Sequence, residues 1–505
     1  MSSKTSSEHF DVLIIGAGLS GIGAAWHLQH DCPGKTYAIL ERREAIGGTW
    51  DLFRYPGVRS DSDMYTLGYN FKPWTDTQII ADGPKIRDYI RETARENGID
   101  RHIRYGNKVM RASWSSENAT WTLEAKLADG KIATYTANFV MMCAGYYNYD
   151  HGYEPDFKGR DTFKGQIINP QFWPEKLDYA GKKVVVIGSG ATAVTVVPAM
   201  TDKAAHVTML QRSPTYVISV PKDDPISKTL RKFLPEMLVY RLGRTRNIAL
   251  TAGMFRLSRA RPKAVRRLLL AQVRAQVGKQ FDMKHFTPSY NPWDQRLCAV
   301  PNGDMFKILK QGKASVVTDH IDSFVENGIK LKSGQLLEAD IIVTATGLDL
   351  QMFGGAEVTI DGERVDMAQR LNYKGMMFND VPNLSNTMGY TNASWTLKAD
   401  LVAEYACRLL RHMDKTGTKI CTPRQRDPSI TPQPFLDMTS GYFQRVMDRL
   451  PKQGSKAPWK LYQNYALDMA TLRRGKVDDG VMEFSKPAPA KAKPSAKPRK
   501  LASAS

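Results

Sequence analysis

At 505 residues the chain is long enough to divide into more than one domain, and an apolar content of 42% is that of an ordinary globular protein. No stretch approaches the length that crosses a bilayer, and the polar start Met1-Ser-Ser-Lys-Thr-Ser-Ser lacks the apolar centre of a signal peptide, so a cytoplasmic location is expected. The net charge of +20 is uneven, gathering between Arg231 and Arg274 and again after Lys486.

In chain order, the first element is the apolar run Val12-Leu-Ile-Ile, which breaks at Gly16-Ala-Gly18-Leu-Ser-Gly21 and continues into small residues that suit a helix. This strand, turn and helix form the setting of a dinucleotide-binding turn. Gly16 permits the tight turn, Gly18 lets backbone approach a pyrophosphate, and Gly21 lets the helix pack on its strand. The next strand, Tyr37-Ala-Ile-Leu, ends at Glu41, where a carboxylate can accept hydrogen bonds from ribose hydroxyls. A second such unit starts at Lys183-Val-Val-Val-Ile, turns at Gly188-Ser-Gly190-Ala-Thr-Ala193, and follows with the strand His206-Val-Thr-Met-Leu. Here Arg212 stands where the first unit has its acid. A guanidinium suits the 2′-phosphate of NADP, so the first turn reads as an FAD site and the second as an NADPH site.

The strand-like runs Phe139–Cys143 and Ile341–Thr344 each end in a small-residue segment and bracket the second unit, as chain crossings between two nucleotide domains would. The expected fold is therefore α/β, with two Rossmann-like dinucleotide-binding domains, the FAD domain being interrupted by the NADPH domain. Residues 1–150 and 335–485 form the first, residues 151–334 the second, and about 221–285 a basic helical insertion. Its arginines alternate with apolar residues in helices that either lie on anionic lipid at the inner face of the membrane or cover a core edge with the charged side in water. The proline-broken basic stretch 486–505 reads as a disordered tail, and nothing in it or elsewhere forms a nucleic-acid motif. Five scattered cysteines without a C-x-x-C pair argue against the flavin-dependent disulfide reductases, which share tandem nucleotide domains, and no metal site is called for.

Four further segments complete the reading: Gly47-Gly-Thr49-Trp50 through Asp61-Ser-Asp63; Phe163-Lys-Gly165 through Asn169-Pro-Gln-Phe-Trp173-Pro174; Asn291-Pro-Trp-Asp-Gln-Arg296; and Gly389-Tyr-Thr-Asn392-Ala-Ser-Trp395. On these the chain resembles the class B flavoprotein monooxygenases, and within them the type I Baeyer–Villiger monooxygenases of the ethionamide-activating and long-chain alkane or ketone branch. The resemblance implies that NADPH reduces FAD, that the reduced flavin captures O2 as a C4a-peroxide, and that oxygen is inserted beside the carbonyl of an aliphatic ketone. It also implies that Arg296 stabilises the developing anion and that Asp61 orients Arg296. A fixed cation beside developing negative oxygen is what such a step requires. Thr49 and Trp50 would lie close to the flavin. Trp395 would either lie at the flavin edge or serve as a core aromatic, with Asn392 or Ser394 capping the helix that follows. Sulfur oxidation would accompany the ketone chemistry. Alkane hydroxylation is the alternative, disfavoured because an unactivated C–H bond gives a flavin peroxide no electrophilic point of attack. The chain departs from the family signature at Asn169, where the family has histidine; a neutral amide cannot shuttle a proton there, which keeps open an uncoupled NADPH oxidase or a flavin-binding protein without oxygenation.

Overall fold

The computed structural model describes residues 7–436 and 440–487, so most of the expected tail lies outside the described residues. The run Glu8–Ile15 forms the centre of a nine-stranded sheet, with Tyr37–Leu40 and Ile132–Met142 parallel to it on either side. Val12 to Ile15 and Tyr37 to Leu40 are buried throughout, as expected of parallel strands covered on both faces. Beyond Ile132–Met142 the sheet turns antiparallel through Thr120–Lys126 and Lys108–Ser115. Strand Glu357–Ile360 then adds to that edge, and Leu384–Asn386 pairs with the end of Ile132–Met142. Register fixes the site: Ile15 lies opposite Leu40, so Gly16 and Glu41 emerge side by side at the carboxyl edge.

The second sheet is five-stranded and wholly parallel, in the order Ala314–Thr318, His206–Gln211, Lys183–Ile187, Ile341–Thr344, Gln166–Ile168. This corrects the boundary read from sequence. Ile341–Thr344 had been assigned to the first domain beyond residue 335, yet it sits between two strands of the second sheet. Its four residues, buried on both sides, satisfy a central parallel position, and the chain returns to the first sheet only after Ala345–Gly347. The two parallel crossings leave the ends of both glycine turns facing one crevice.

The helix Leu19–Asp31 runs from the first turn and packs along Trp395–Thr416. A Cβ at Gly21 would fall 1.8 Å from the Gly16 carbonyl oxygen, which is why this helix can seat so closely on its strand. His27 is buried between Asp31 at 3.7 Å and Asp400 at 3.6 Å. Asp400 also meets Arg244 at 3.4 Å, and Arg244 donates to the carbonyls of Tyr65 and Gly68 at 2.8 and 2.7 Å. Arg244 belongs to the helix Glu236–Ala260, so this buried charge cluster locks the basic insertion onto the first domain. The insertion carries three helices, Pro225–Leu230, Glu236–Ala260 and Pro262–Val277.

Burial acts to lower the His27 pKa, but the two carboxylates outweigh it and push it up to about 9. Protonated His27 therefore contributes its full stabilisation below pH 6.5, the ordinary histidine value, and loses it as the pH rises through about 9. Thermal melts across this range should show a decline in stability of about 3 kcal/mol that His27→Gln abolishes. An identical pH slope in the variant would mean that His27 is neutral in the folded protein.

Candidate active site

A cavity of about 920 Å³ opens at the carboxyl ends of the parallel strands of both sheets. On the first side, Gly16 has φ +102°, and a Cβ there would lie 2.8 Å from the Cys143 carbonyl oxygen. Gly18 follows on the cavity wall. Glu41 is 3% exposed; its two oxygens accept the Ala17 and Arg43 backbone N–H groups at 2.7 and 2.8 Å. Burial raises its pKa, and the two amides act against that while fixing the carboxylate at the rim of the turn. Thr49 and Trp50 begin the short helix Thr49–Leu52 and line the same wall. The next residue, Asp51, is buried and binds Arg43 at 2.7 Å and Arg91 at 2.9 Å, which anchors this segment against the domain.

On the second side, Gly188 has φ +140°, and a Cβ there would meet the Ala345 carbonyl oxygen at 2.3 Å. Gly190 is different: no heavy atom lies within 4 Å of its Cβ position, which faces the open cavity. Ala193 is fully buried in the helix Ala191–Met200, and like Gly21 it supports the turn from beneath without reaching the cavity. Arg212 is exposed on the cavity wall. The preceding Gln211 is buried and pinned by hydrogen bonds to the His285 carbonyl at 2.7 Å and Thr318 Oγ1 at 2.9 Å, so the strand end that carries Arg212 is rigid. The pairing of Gln211 with Thr318 brings Asp319 and His320 beside Arg212. Lys332, whose N–H bonds the His320 carbonyl at 2.9 Å, adds a second cation to this stretch of wall.

Between the two turns Arg296 donates to Asp61 at 3.0 Å, and both line the cavity. Their side chains are 38% and 28% exposed. The adjacent carboxylate raises the Arg296 pKa, so the guanidinium stays charged although burial opposes it. An aromatic wall faces the pair. Tyr146 and Tyr147 share a hydroxyl contact at 3.1 Å, and Tyr146 stacks on Trp395 at 5.1 Å and 13°. The Trp395 indole donates to Ser20 Oγ at 2.7 Å, tying this wall to the first helix of the FAD-type turn. Burial pushes the Tyr146, Tyr147 and Tyr442 phenols up, so all three are neutral hydrogen-bonding groups.

One expectation needs correction. Asn392 neither caps the helix Trp395–Thr416 nor reaches the cavity; its amide donates to the Gln463 carbonyl at 2.9 Å. Ser394 stands at the cap position, but its hydroxyl contacts Thr66 Oγ1 at 2.6 Å. The signature segment also lies off the cavity wall. Phe163 is buried against Phe324, a Cβ at Gly165 would fall 2.2 Å from the Asp340 carbonyl oxygen, Trp173 packs on the second domain's core, and Pro174 is exposed. Asn169 accepts the Gln171 N–H at 3.0 Å and donates to Glu154 at 3.1 Å. In this arrangement residue 169 is a turn-capping group, and an amide serves that purpose fully.

Tyr146, Tyr147, Tyr442, Arg445 and Lys332 line the cavity but were not found from sequence. The tyrosines at 146 and 147 directly follow the Ala144-Gly145 crossing, which was the available signal. Residues 440–445 and Lys332 carry no motif.

Residues 10–354 match the family model for flavin-binding monooxygenase-like proteins. The FAD-containing monooxygenase EthA of Mycolicibacterium smegmatis is 55% identical over 482 residues, covering 95% of this chain and 98% of that protein. The probable FAD-binding monooxygenase AlmA of Acinetobacter baylyi is 52% identical over 481 residues, covering 95% of this chain and 97% of that protein. Among solved structures, cyclohexanone monooxygenase from Rhodococcus sp. Phi1 bound to NADP+ superposes with a TM-score of 0.73 at 22% identity, covering 95% of this chain and 100% of that one. With two nucleotide turns, a shared cavity and relatives matched over nearly their whole length, the chain belongs to the flavin-binding monooxygenase-like family.

Proposed function

We propose that the chain is an FAD-, NADPH- and O2-dependent Baeyer–Villiger monooxygenase acting on apolar aliphatic ketones, including long-chain ones. The observation that carries this reading is that both glycine turns and the Asp61–Arg296 pair open into one cavity. The overall balance is ketone, NADPH, O2 and a proton giving ester, NADP+ and water. Bound FAD, once reduced by NADPH, supplies the activated oxygen.

The residues fit the two nucleotides. Gly190 leaves the space that a Cβ would fill, at the amino end of the helix Ala191–Met200, where backbone N–H groups attract a pyrophosphate. Gly18 lines the cavity at the amino end of the helix Leu19–Asp31, with its Cβ position 3.5 Å from Gly48 Cα, and Glu41 has lone pairs left for a ribose after its two backbone bonds. Arg212 and Lys332 supply the positive charge for a 2′-phosphate. Arg296, aimed by Asp61, places a permanent cation where oxygen attacks a carbonyl, so the developing oxyanion is met by charge that is already oriented. The neutral tyrosines and Trp395 exclude water and give an apolar ketone, or a soft sulfur atom, a surface to rest on. With Asn169 away from the cavity wall, its replacement of histidine takes no titratable group from the reaction space, which weighs against an uncoupled oxidase.

FAD-loaded protein given NADPH and a long-chain 2-ketone should form ester in step with NADPH consumed, with little hydrogen peroxide. NADPH oxidation that yields peroxide alone across a series of ketones and thioethers would reject oxygenation. Arg212→Ala should raise KM for NADPH roughly ten- to a hundredfold while leaving NADH kinetics nearly unchanged, because it removes a charge-assisted hydrogen bond worth about 1.5–3 kcal/mol. Equal effects on both cofactors would remove Arg212 from phosphate recognition.

A further inference from the structure

The helix Glu236–Ala260 has an inner face fixed by Tyr240 and Arg244, while its outer face is covered by nothing among the described residues. Large apolar side chains stand out there and on the preceding turn: Phe233 is 78% exposed and Leu250 64%, with Leu238, Leu242, Met254 and Leu257 also exposed. Between residues 226 and 274 there are thirteen lysines and arginines and a single acidic residue, Glu236. Arg256, Lys263 and Arg267 are exposed around the apolar ridge. Soluble surfaces seldom gather large apolar groups in this way without a partner.

We propose that this helical insertion docks on an anionic lipid surface, with the apolar ridge in the headgroup and acyl boundary and the surrounding cations on lipid phosphates. Charge decides the occupant. A second copy would bring the same strongly basic face against itself, whereas an anionic bilayer matches both the cations and the apolar ridge. No helix among the described residues is long and apolar enough to cross a membrane, so the insertion lies on the surface. The same helix also touches the loop that leads to Arg296. Phe255 meets Trp293 edge to face at 5.5 Å, and Arg259 pairs with Asp294 at 3.0 Å, two residues before Arg296. The docked face therefore adjoins the loop that carries Arg296, and a ketone dissolved in lipid would enter the cavity from this side. That last step rests on the proposed function; the lipid docking does not.

The full chain should be spun with vesicles of phosphatidylcholine alone and with added phosphatidylglycerol. Sedimentation with the anionic vesicles should exceed that with neutral ones at least tenfold. The double variant Leu250→Asp, Leu257→Asp should lose at least tenfold of it with an unchanged melting curve, and Arg256→Glu with Arg267→Glu, which spares the apolar ridge, should do the same. Absence of binding to anionic vesicles, equal binding by the leucine variant, or a dimer that the leucine variant dissociates would each overturn the proposal. Turnover separates the two readings. The leucine variant should lose activity on a vesicle-dissolved ketone and keep it on a water-soluble one; vesicle binding without oxidation of either ketone would reject the oxygenase and leave the docking surface in place.

Discussion

In the proposed reaction, the ion pair between Asp61 and Arg296 is the contact on which the chemistry of this cavity depends. Asp61 comes from the segment that follows Gly47-Gly48 in the first domain, and Arg296 comes from the loop that precedes strand Cys298–Pro301 in the second. Two residues earlier, Arg59 reaches Asp304 at 2.6 Å, so a single short segment crosses the domain junction twice through charge. A guanidinium left alone at a partly dry wall would be pulled toward whatever carbonyl or solvent lay nearest. Its carboxylate partner holds it in one place and keeps it charged, while leaving part of its donor fork turned to the cavity. Since the cation is paid for in desolvation at folding, it would need no rearrangement when negative charge develops nearby in the proposed reaction.

The rest of the fold brings two glycine turns to the cavity that holds that pair. The glycines divide into two kinds of work. Gly16, Gly21 and Gly188 are glycine because backbone lies where a Cβ would be, so they hold strand, turn and helix together. Gly190 has open space at its Cβ position and belongs to the ligand side. Register does the remainder: in both sheets the strand beside each turn ends level with it, which brings Glu41 next to Gly16 and Arg212 to the rim of the second turn. The insertion is tied into the same framework through Arg244 and Asp400, so the exposed helix and the reaction site form one continuous body.

Much of the site was legible because it is local. The turns, Glu41 and Arg212 follow from strand, turn and charge within about thirty residues, the span of one βαβ unit. Asp61 and Arg296 were identified through resemblance; 235 positions apart, they could not have been paired by spacing alone. Sheet membership was harder to read. Ile341–Thr344 looks the same whether it ends one domain or completes the centre of the other, since a β-branched run records burial and not its neighbours. The caps failed for a similar reason: Asn392 and Ser394 have the right chemistry, but tertiary partners at Gln463 and Thr66 take their polar atoms. The aromatic wall and Lys332 were missed because each residue gains its meaning only from distant contacts.

The most direct test of the central claim is a double-mutant cycle on Asp61 and Arg296, read as ester formed per NADPH oxidised. If Asp61 acts by holding Arg296, Asp61→Ala and Arg296→Ala should each lower that ratio at least tenfold, with hydrogen peroxide making up the difference, and the double variant should be no worse than Arg296→Ala. Independent, multiplying losses, or single variants that keep the wild-type ratio, would contradict the account.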